Sequence, residues 1–240
     1  MATLLIRLSG PMQSWGTQSA SVHRDSGLEP SKSGVVGLLA AALGRPRELE
    51  VADLSALRMG VRVEREGVLR HDYQTAGGTR SAQRRAYGVY RSSGGSGGTV
   101  VSTRHYLADA DFLVGLEGGR PLLERVDAAL RRPKWPLFLG RKAFVPALPI
   151  AVPPAPPWGP GVREGNLEDE LRAYPWRWDE DFPVHRRPTG QRLVIEALDG
   201  ESTQFDQPLS FASNDRRYLS RHTRTEWLDV AAVELLPEGE

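Results

Sequence analysis

The 240-residue sequence has no cysteine. That excludes disulfides, and with them zinc or iron–sulfur centres built on thiolates. Lysine is nearly absent: Lys32, Lys134 and Lys142 are the only three, so the remaining cationic side chains are arginines. No window approaches the ~18 apolar residues that a membrane helix needs. The opening run Met1-Ala2-Thr3-Leu4-Leu5-Ile6-Arg7-Leu8 has no basic n-region and meets an arginine early, unlike a signal peptide. The five histidines (His23, His71, His105, His185 and His222) lack H-E-x-x-H spacing. His71 and Asp72 are adjacent, but neighbours in a strand point to opposite faces. Asp179-Glu180-Asp181 reads as a solvated acidic loop. These absences describe a soluble, cytoplasmic protein with no membrane contact, no metal site and no cofactor.

The chain does have a core and an uneven charge distribution. Hydrophobic residues make up 40% of it, enough for one large domain or two small ones. The net charge is +1, yet acid gathers between Glu164 and Asp181, so a near-neutral total conceals a basic remainder. Arginine in place of lysine suits phosphate, because a guanidinium fork makes two parallel hydrogen bonds; a biased genome composition would produce the same pattern.

Thr3 to Leu8 reads as a first strand, followed by a polar loop from Ser9 to Pro30. Ser31 to Leu43 is the strongest helix, with Ser31 or Ser33 as cap and Gly44 as stop. It is apolar nearly all round and should be buried. Leu57 to Val63 is a strand with Leu57, Met59, Val61 and Val63 on one face. Gly67 turns the chain, and Val68 to Thr75 is extended. From Ala76 to Val100 no apolar face can be drawn, and the run Gly94-Gly95-Ser96-Gly97-Gly98 marks a hairpin tip that does not join the core. Residues 74–105 therefore read as a hairpin inserted between 1–73 and 106–240. Strand character resumes from Thr99 to Ala108 and from Asp111 to Leu116. Pro121 to Leu130 is an amphipathic helix with Pro121 in its first turn. A proline-rich segment runs from Pro149 to Pro160, with a short helix at Asn166 to Ala173 and strands at Arg192 to Leu198 and Arg216 to Val230. The order strand, helix, strand, hairpin, strand, helix predicts an α+β fold: a ferredoxin-like (RRM-like) β-α-β-β-α-β palm with an inserted β-hairpin thumb and a C-terminal extension of strands.

Four constellations carry possible chemistry. In Gly10-Pro11-Met12-Gln13-Ser14-Trp15-Gly16, Gln13 can read a base edge and Trp15 can stack on one; a turn residue and a core anchor are the competing readings. Ser31-Lys32-Ser33-Gly34 opens the main helix, where free N–H groups favour an anion; ordinary capping competes. It is not a P-loop, since Ser26 and Ser31 stand where glycines would be needed. Gly140-Arg141-Lys142 sets two cations beside a residue that permits close backbone approach. Tyr73, Arg80, Arg84, Arg85, Tyr87, Tyr90, Arg91 and Arg104 interleave aromatics with arginines, a combination that binds single strands; a protein-contact hairpin would look the same.

In order along the chain, these motifs resemble the CasD family, the "Cas five" subunit of type I-E CRISPR Cascade. The likeness rests on Arg7-Leu8, the Gly10 to Gly16 loop, Pro30-Ser31-Lys32-Ser33-Gly34-Val35-Val36-Gly37-Leu38-Leu39 and Leu43-Gly44. It continues through Arg70-His71-Asp72-Tyr73, Arg104 to Ala110, Phe138-Leu139-Gly140-Arg141-Lys142 and Phe211-Ala212-Ser213 with Arg216, Arg217 and Tyr218. The resemblance implies a non-catalytic subunit that binds the 5′ handle of the CRISPR RNA and caps the backbone filament. Its implied partners are the CRISPR RNA, the backbone subunit, the large subunit and, in the assembled complex, target DNA. Carried over by position, Gln13, Ser14, Trp15, Ser31, Lys32, Ser33, Arg104, Arg141 and Lys142 become RNA contacts. Tyr73, Arg80, Arg84, Arg85, Tyr87 and Arg91 fall to the thumb, facing RNA or the backbone subunit. The alternative is a metal-independent endoribonuclease that cuts repeat RNA, as relatives in another subtype do.

Overall fold

The computed structural model describes residues 1–17, 23–77, 99–155, 158–175 and 190–229. A seven-stranded sheet organises the chain. Its strands are β1 (Ala2–Ser9), β4 (Arg58–Arg65), β7 (Asp111–Gly118), β8 (Val162–Arg163), β9 (Gly190–Glu196), β10 (Ser202–Ser210) and β11 (Arg217–Asp229). They lie in the order β10-β11-β9-β4-β7-β1-β8, with every pairing antiparallel. β10 was not anticipated from sequence. Phe205 and Leu209 in it are exposed, so it shows no apolar alternation.

Two layers cover the sheet. On one face α1 (Lys32–Leu43) and α3 (Arg120–Arg131) bury Leu4, Ile6, Met59, Val61, Val114 and Leu116 against Val35, Leu39, Leu123 and Val126. On the other, α4 (Leu167–Ala173) packs Leu167 and Leu171 on Leu5, Leu113, Leu193 and Ile195. β1 and β7 thus bury side chains on both faces, which is why they read as near-continuous apolar runs. The short α2 (Ala52–Ser55) seats Leu54 in the first core.

Local signals explain the helix ends. Ser31, rather than Ser33, caps α1: its Oγ accepts from the Gly34 N–H at 3.3 Å. Gly44 closes the helix in the left-handed conformation, φ 72°. Asn166 caps α4 by accepting from the Asp169 N–H at 3.0 Å.

A second sheet stands at the β1 exit. β6 (Val100–Ala108) pairs antiparallel with β5 (Val68–Ala76) along its whole length, from Val68 opposite Ala108 to Ala76 opposite Val100. The pairing starts earlier and ends later than a hairpin confined to 74–105. The other edge of β6 takes β2 (Met12–Gln13) antiparallel and β3 (His23–Arg24) parallel. Asp109, at φ 57°, turns the chain from β6 into β7, a conformation that aspartate tolerates better than most residues. Among the described residues, no helix is long and apolar enough to cross a membrane.

The acidic stretch has a structural use in its described half. Glu168 pairs with Arg58 and Arg224, each at 2.7 Å, and Glu170 with Arg163 at 3.4 Å. Arg172 of α4 reaches Glu226 of β11. These carboxylates fasten α4 to arginines projecting from the sheet.

Candidate nucleic-acid interface

The loop after β1 is built around two buried side chains. Gln13 is 0% exposed, and its amide nitrogen donates to the carbonyls of Leu8 at 3.0 Å and Ala110 at 2.7 Å. Its amide oxygen accepts from the Trp15 indole at 3.1 Å. Trp15 lies against α1 so closely that a Cβ at Gly34 would sit 2.8 Å from the indole ring. Only glycine at 34 lets loop and helix meet in this way. The expectation that Gln13 reads a base and Trp15 stacks on one is therefore corrected: both side chains are spent in joining the loop to the helix. Buried polar groups require such partners, since leaving one unmet costs about 1–3 kcal/mol.

The helix start is corrected in the same sense. Lys32 is 1% exposed and its Nζ holds both oxygens of Glu196, at 2.9 and 2.8 Å. The anion at the helix N-terminus belongs to the protein: Asp206 Oδ2 accepts from the Lys32 N–H at 2.6 Å. Arg221 completes the group, donating to Asp206 at 2.6 and 3.0 Å. Burial pulls the Lys32 ammonium below its ordinary value, and Glu196 opposes that shift. Ser31 is taken up in capping, and Ser33 approaches Ser31 Oγ at 3.4 Å. Ser14 is buried, its hydroxyl donating to the carbonyl of His105 at 3.2 Å.

The basic pair is different. Residues 139–144 form a tight turn closed by Leu139 N–H to Phe144 O and Phe144 N–H to Arg141 O, both at 2.8 Å. The turn docks on the loop through Ser14 N–H to Leu139 O at 3.1 Å. Gly140 sits at φ 88°, and a Cβ there would fall 1.8 Å from the Ser14 carbonyl oxygen. The close approach read from sequence is thus an approach to this chain's own backbone. It raises Arg141 over the Phe144 ring, 5.5 Å from its centroid, and lets Nη2 donate to the His105 carbonyl at 2.9 Å. Lys142 is exposed.

Arg141 is the centre of a cation cluster. Arg104, half-buried on β6, is tied to Ser102 Oγ at 3.1 Å. Exposed Arg24 on β3 is the register partner of Arg104. Partial burial first, then the like charges of Arg104 and Arg24, hold the Arg141 guanidinium below its ordinary value, against the pull of Asp72 and Asp25. Among the described residues, Arg7, Arg45, Arg58, Arg192 and Arg224 are held above their ordinary value, because a carboxylate bonds to each. His71 and His105 are register partners on β5 and β6, with ring centroids 6.0 Å apart.

Sequence reading missed two members. Arg24 sits in a polar loop without periodicity, and only the two-residue pairing of β3 brings it to Arg104. Phe144, three residues after Arg141, becomes its support only once the turn closes. Exposed Tyr73 lies on β5, while Arg80, Arg84, Arg85, Tyr87, Tyr90 and Arg91 lie outside the described residues. Among the described residues no group of three or more His, Asp or Glu is placed to hold a metal ion.

The model of the family described as CRISPR-associated protein (Cas_Cas5) matches residues 3–224. The chain belongs to this CRISPR-associated family. It is 31% identical over 157 residues to the CRISPR system Cascade subunit CasD of Escherichia coli (strain K12), a match covering 58% of this chain and 65% of that protein. The aligned part thus spans just under two thirds of the length of that relative. A crystal structure of a Cas protein superposes with a TM-score of 0.73 at 42% identity, covering 99% of this chain and 98% of the other. A chain of a CRISPR RNA-guided surveillance complex superposes with a TM-score of 0.75 at 33% identity, over 95% and 90% of the two chains.

Proposed function

We propose that this chain is a non-catalytic, CRISPR RNA-binding subunit of a cytoplasmic type I-E Cascade, gripping the 5′ handle of the guide and capping the backbone filament. The observation that carries this reading is geometric: Arg24 and Arg104 are register partners on β3 and β6, and Arg141 is held to the neighbouring His105 carbonyl of β6 at 2.9 Å. Phosphates of a single strand pair with such cations, and the guanidinium of Arg141, braced on Phe144, offers a fork to one of them. Gln13, Trp15, Ser31 and Lys32 serve the same site from inside, by fixing the loop and helix on which the turn rests.

In this reading residues 1–73 and 106–240 form a ferredoxin-like palm with its C-terminal extension. The strand order β4-β7-β1-β8 with α1 and α3 on one face supports it. Residues 74–105 form the thumb, whose base is the exposed β5–β6 ribbon carrying Tyr73. The thumb meets the guide RNA and the adjacent backbone subunit, with the large subunit and target DNA nearby in the full assembly.

One observation favours a second reading, a metal-independent repeat endoribonuclease: the rings of His71 and His105 pair across β5 and β6, 6.0 Å apart, and histidine is the commonest general acid–base group. Purified protein with labelled repeat RNA and chelator separates the two. Retention of the 5′ handle without cleavage is expected. Specific cleavage of the repeat, abolished by His71→Ala or His105→Ala, would make the chain an enzyme.

A further inference from the structure

Among the described residues, the chain passes four times between the seven-stranded sheet with its helices and the second sheet of β2, β3, β5 and β6. The passages are 10–11 from β1 to β2, 25–31 from β3 to α1, 66–67 from β4 to β5, and 109–110 from β6 to β7. A polar side chain holds each of them. Gln13 serves two: its amide donates to the carbonyls of Leu8, near the end of β1, and of Ala110. Arg192 of β9 serves the other two. Its Nε and Nη2 donate to the two carboxylate oxygens of Glu66 at 2.9 and 2.8 Å, and its Nη1 donates to Glu29 at 2.7 Å.

The two clamps differ in kind. Gln13 is neutral and fully buried. The Arg192 clamp is ionic and partly open, with the Glu66 side chain 49% exposed. A planar guanidinium that reaches two carboxylates fixes direction as well as distance, which an ammonium does not.

The clamp holds the sheet that carries Arg24 and Arg104. β3 has only two residues, both exposed, and pairs with β6 at His23 and Arg24 alone. A strand this short depends on what fastens the chain beside it. Ser26 fixes the passage that follows, its Oγ accepting from the Trp15 N–H at 3.0 Å, and Glu29 fixes the passage again at Arg192. Glu66 precedes Gly67, which lies at φ 73° so close to β6 that a Cβ there would fall 2.8 Å from the Ala108 carbonyl oxygen. The turn has no slack, so displacing Glu66 displaces β5, and with it β6, its partner from Val68 to Ala76.

We propose that Arg192 is a positioning residue for the RNA interface: by holding Glu29 and Glu66 on one guanidinium, it sets the angle of the second sheet to the first, and so the places of Arg24 and Arg104. The inference rests on the RNA-binding reading above. None of the three clamp residues has to touch RNA. Displacing a guanidinium by about 1 Å is enough to spoil a forked phosphate contact.

The acid variants make the sign of the effect the test. Neutralising a carboxylate near a phosphate path raises affinity if the acid acts only through its charge. Positioning predicts the reverse. Glu29→Gln, Glu66→Gln and Arg192→Gln should each lower the affinity of the folded full chain for 5′ handle RNA about fivefold. The double variant Arg192→Gln, Glu29→Gln should bind like Arg192→Gln alone, because both changes open one clamp. The chain has no cysteine, so Thr75→Cys on β5 and Arg125→Cys on α3, both exposed, accept a pair of spin labels. Their distance distribution should be narrow in the clamped chain and broaden with Arg192→Gln. Unchanged or tighter RNA binding by either acid variant overturns the proposal. So does a distance distribution that Arg192→Gln leaves as it was. Should a variant fail to fold, Arg192→Lys, which keeps the charge without the fork, carries both readouts with the same expectations. A wild-type chain with no affinity for handle RNA would sink the underlying reading, an outcome visible before any variant is made.

Discussion

The Arg141 guanidinium donates through Nη2 to the His105 carbonyl at 2.9 Å, so this cation is fixed to the middle of β6. A side chain held in this way loses little freedom when it meets phosphate. Arg141→Ala should weaken handle RNA binding about tenfold, or ~1.4 kcal/mol. It should also flatten the dependence of log affinity on log salt by about 0.7 for the phosphate lost. Arg141→Lys keeps the charge but not the fork or the stack on Phe144, and should fall between. Filter binding across a salt series reads all three; equal slopes would remove Arg141 from the phosphate contacts.

Gly140→Ala makes a separate point. It leaves every cation in place but sets a methyl into the Ser14 carbonyl at a backbone angle that alanine resists. The cost should be about 2 kcal/mol or more, a melting temperature lower by roughly 5 °C. RNA affinity should fall with it, because the turn that lifts Arg141 can no longer dock on the loop. Retained affinity in a destabilised protein would separate the turn from the site.

Lys32 behaves in the opposite way. Lys32→Met leaves the Glu196 carboxylate with the Met59 N–H, at 3.3 Å, and Arg221, at 3.9 Å, and should cost about 3 kcal/mol in denaturant unfolding, as expected when one partner of a buried pair is removed. The double variant Lys32→Met, Glu196→Gln should recover most of that loss. The folded fraction should bind RNA with unchanged affinity. A stable Lys32→Met with lost RNA binding would return the lysine to the RNA surface.

Acid should loosen the periphery first. Two hydrogen bonds from Arg45 at 2.6 Å hold the Asp53 carboxyl below its ordinary value, and Arg224 followed by Arg172 does the same for Glu226. A carboxylate with a depressed folded value stabilises the fold above its unfolded value, about 4, and that gain disappears as pH falls through the folded value. Both pairs are solvent-screened, so each is worth under ~1 kcal/mol. Asp53→Asn and Glu226→Gln should therefore lower stability slightly at pH 7 and leave it unchanged near pH 2. Thermal melts across that range check the slope.

Much of the architecture could be read in the residues because it rests on local rules. Ser31, Gly44 and Asn166 marked helix ends through groups that act within one turn, and β1 and β7 read as strands from their β-forming residues. The family motifs were legible for the same reason. What their polar members do was not. Gln13 and Lys32 carry groups equally fit for RNA or for partners inside the fold, and the partners that claim Lys32, Glu196 and Asp206, arrive from far along the chain. The acid gathered from Glu164 read only as a local excess, because the arginines paired with it, Arg58, Arg163 and Arg224, are scattered in sequence. The Gly140-Arg141-Lys142 turn was legible in part: glycine announced a close approach, while Phe144 and Arg24 had no signal of their own.

The carboxylate that caps α1 lies 174 residues after the helix begins. On the ribosome, the strongest helix of the chain emerges with the N–H of Lys32 unmet and its buried ammonium unneutralised, and it keeps that defect until β9 and β10 have been synthesised. The N-terminal segment is therefore not a unit that can be cut out and studied. A chain truncated before Ser202 would lack the cap at one end of its own core, and an intact hydrophobic layer above the sheet would report that the C-terminal strands have arrived.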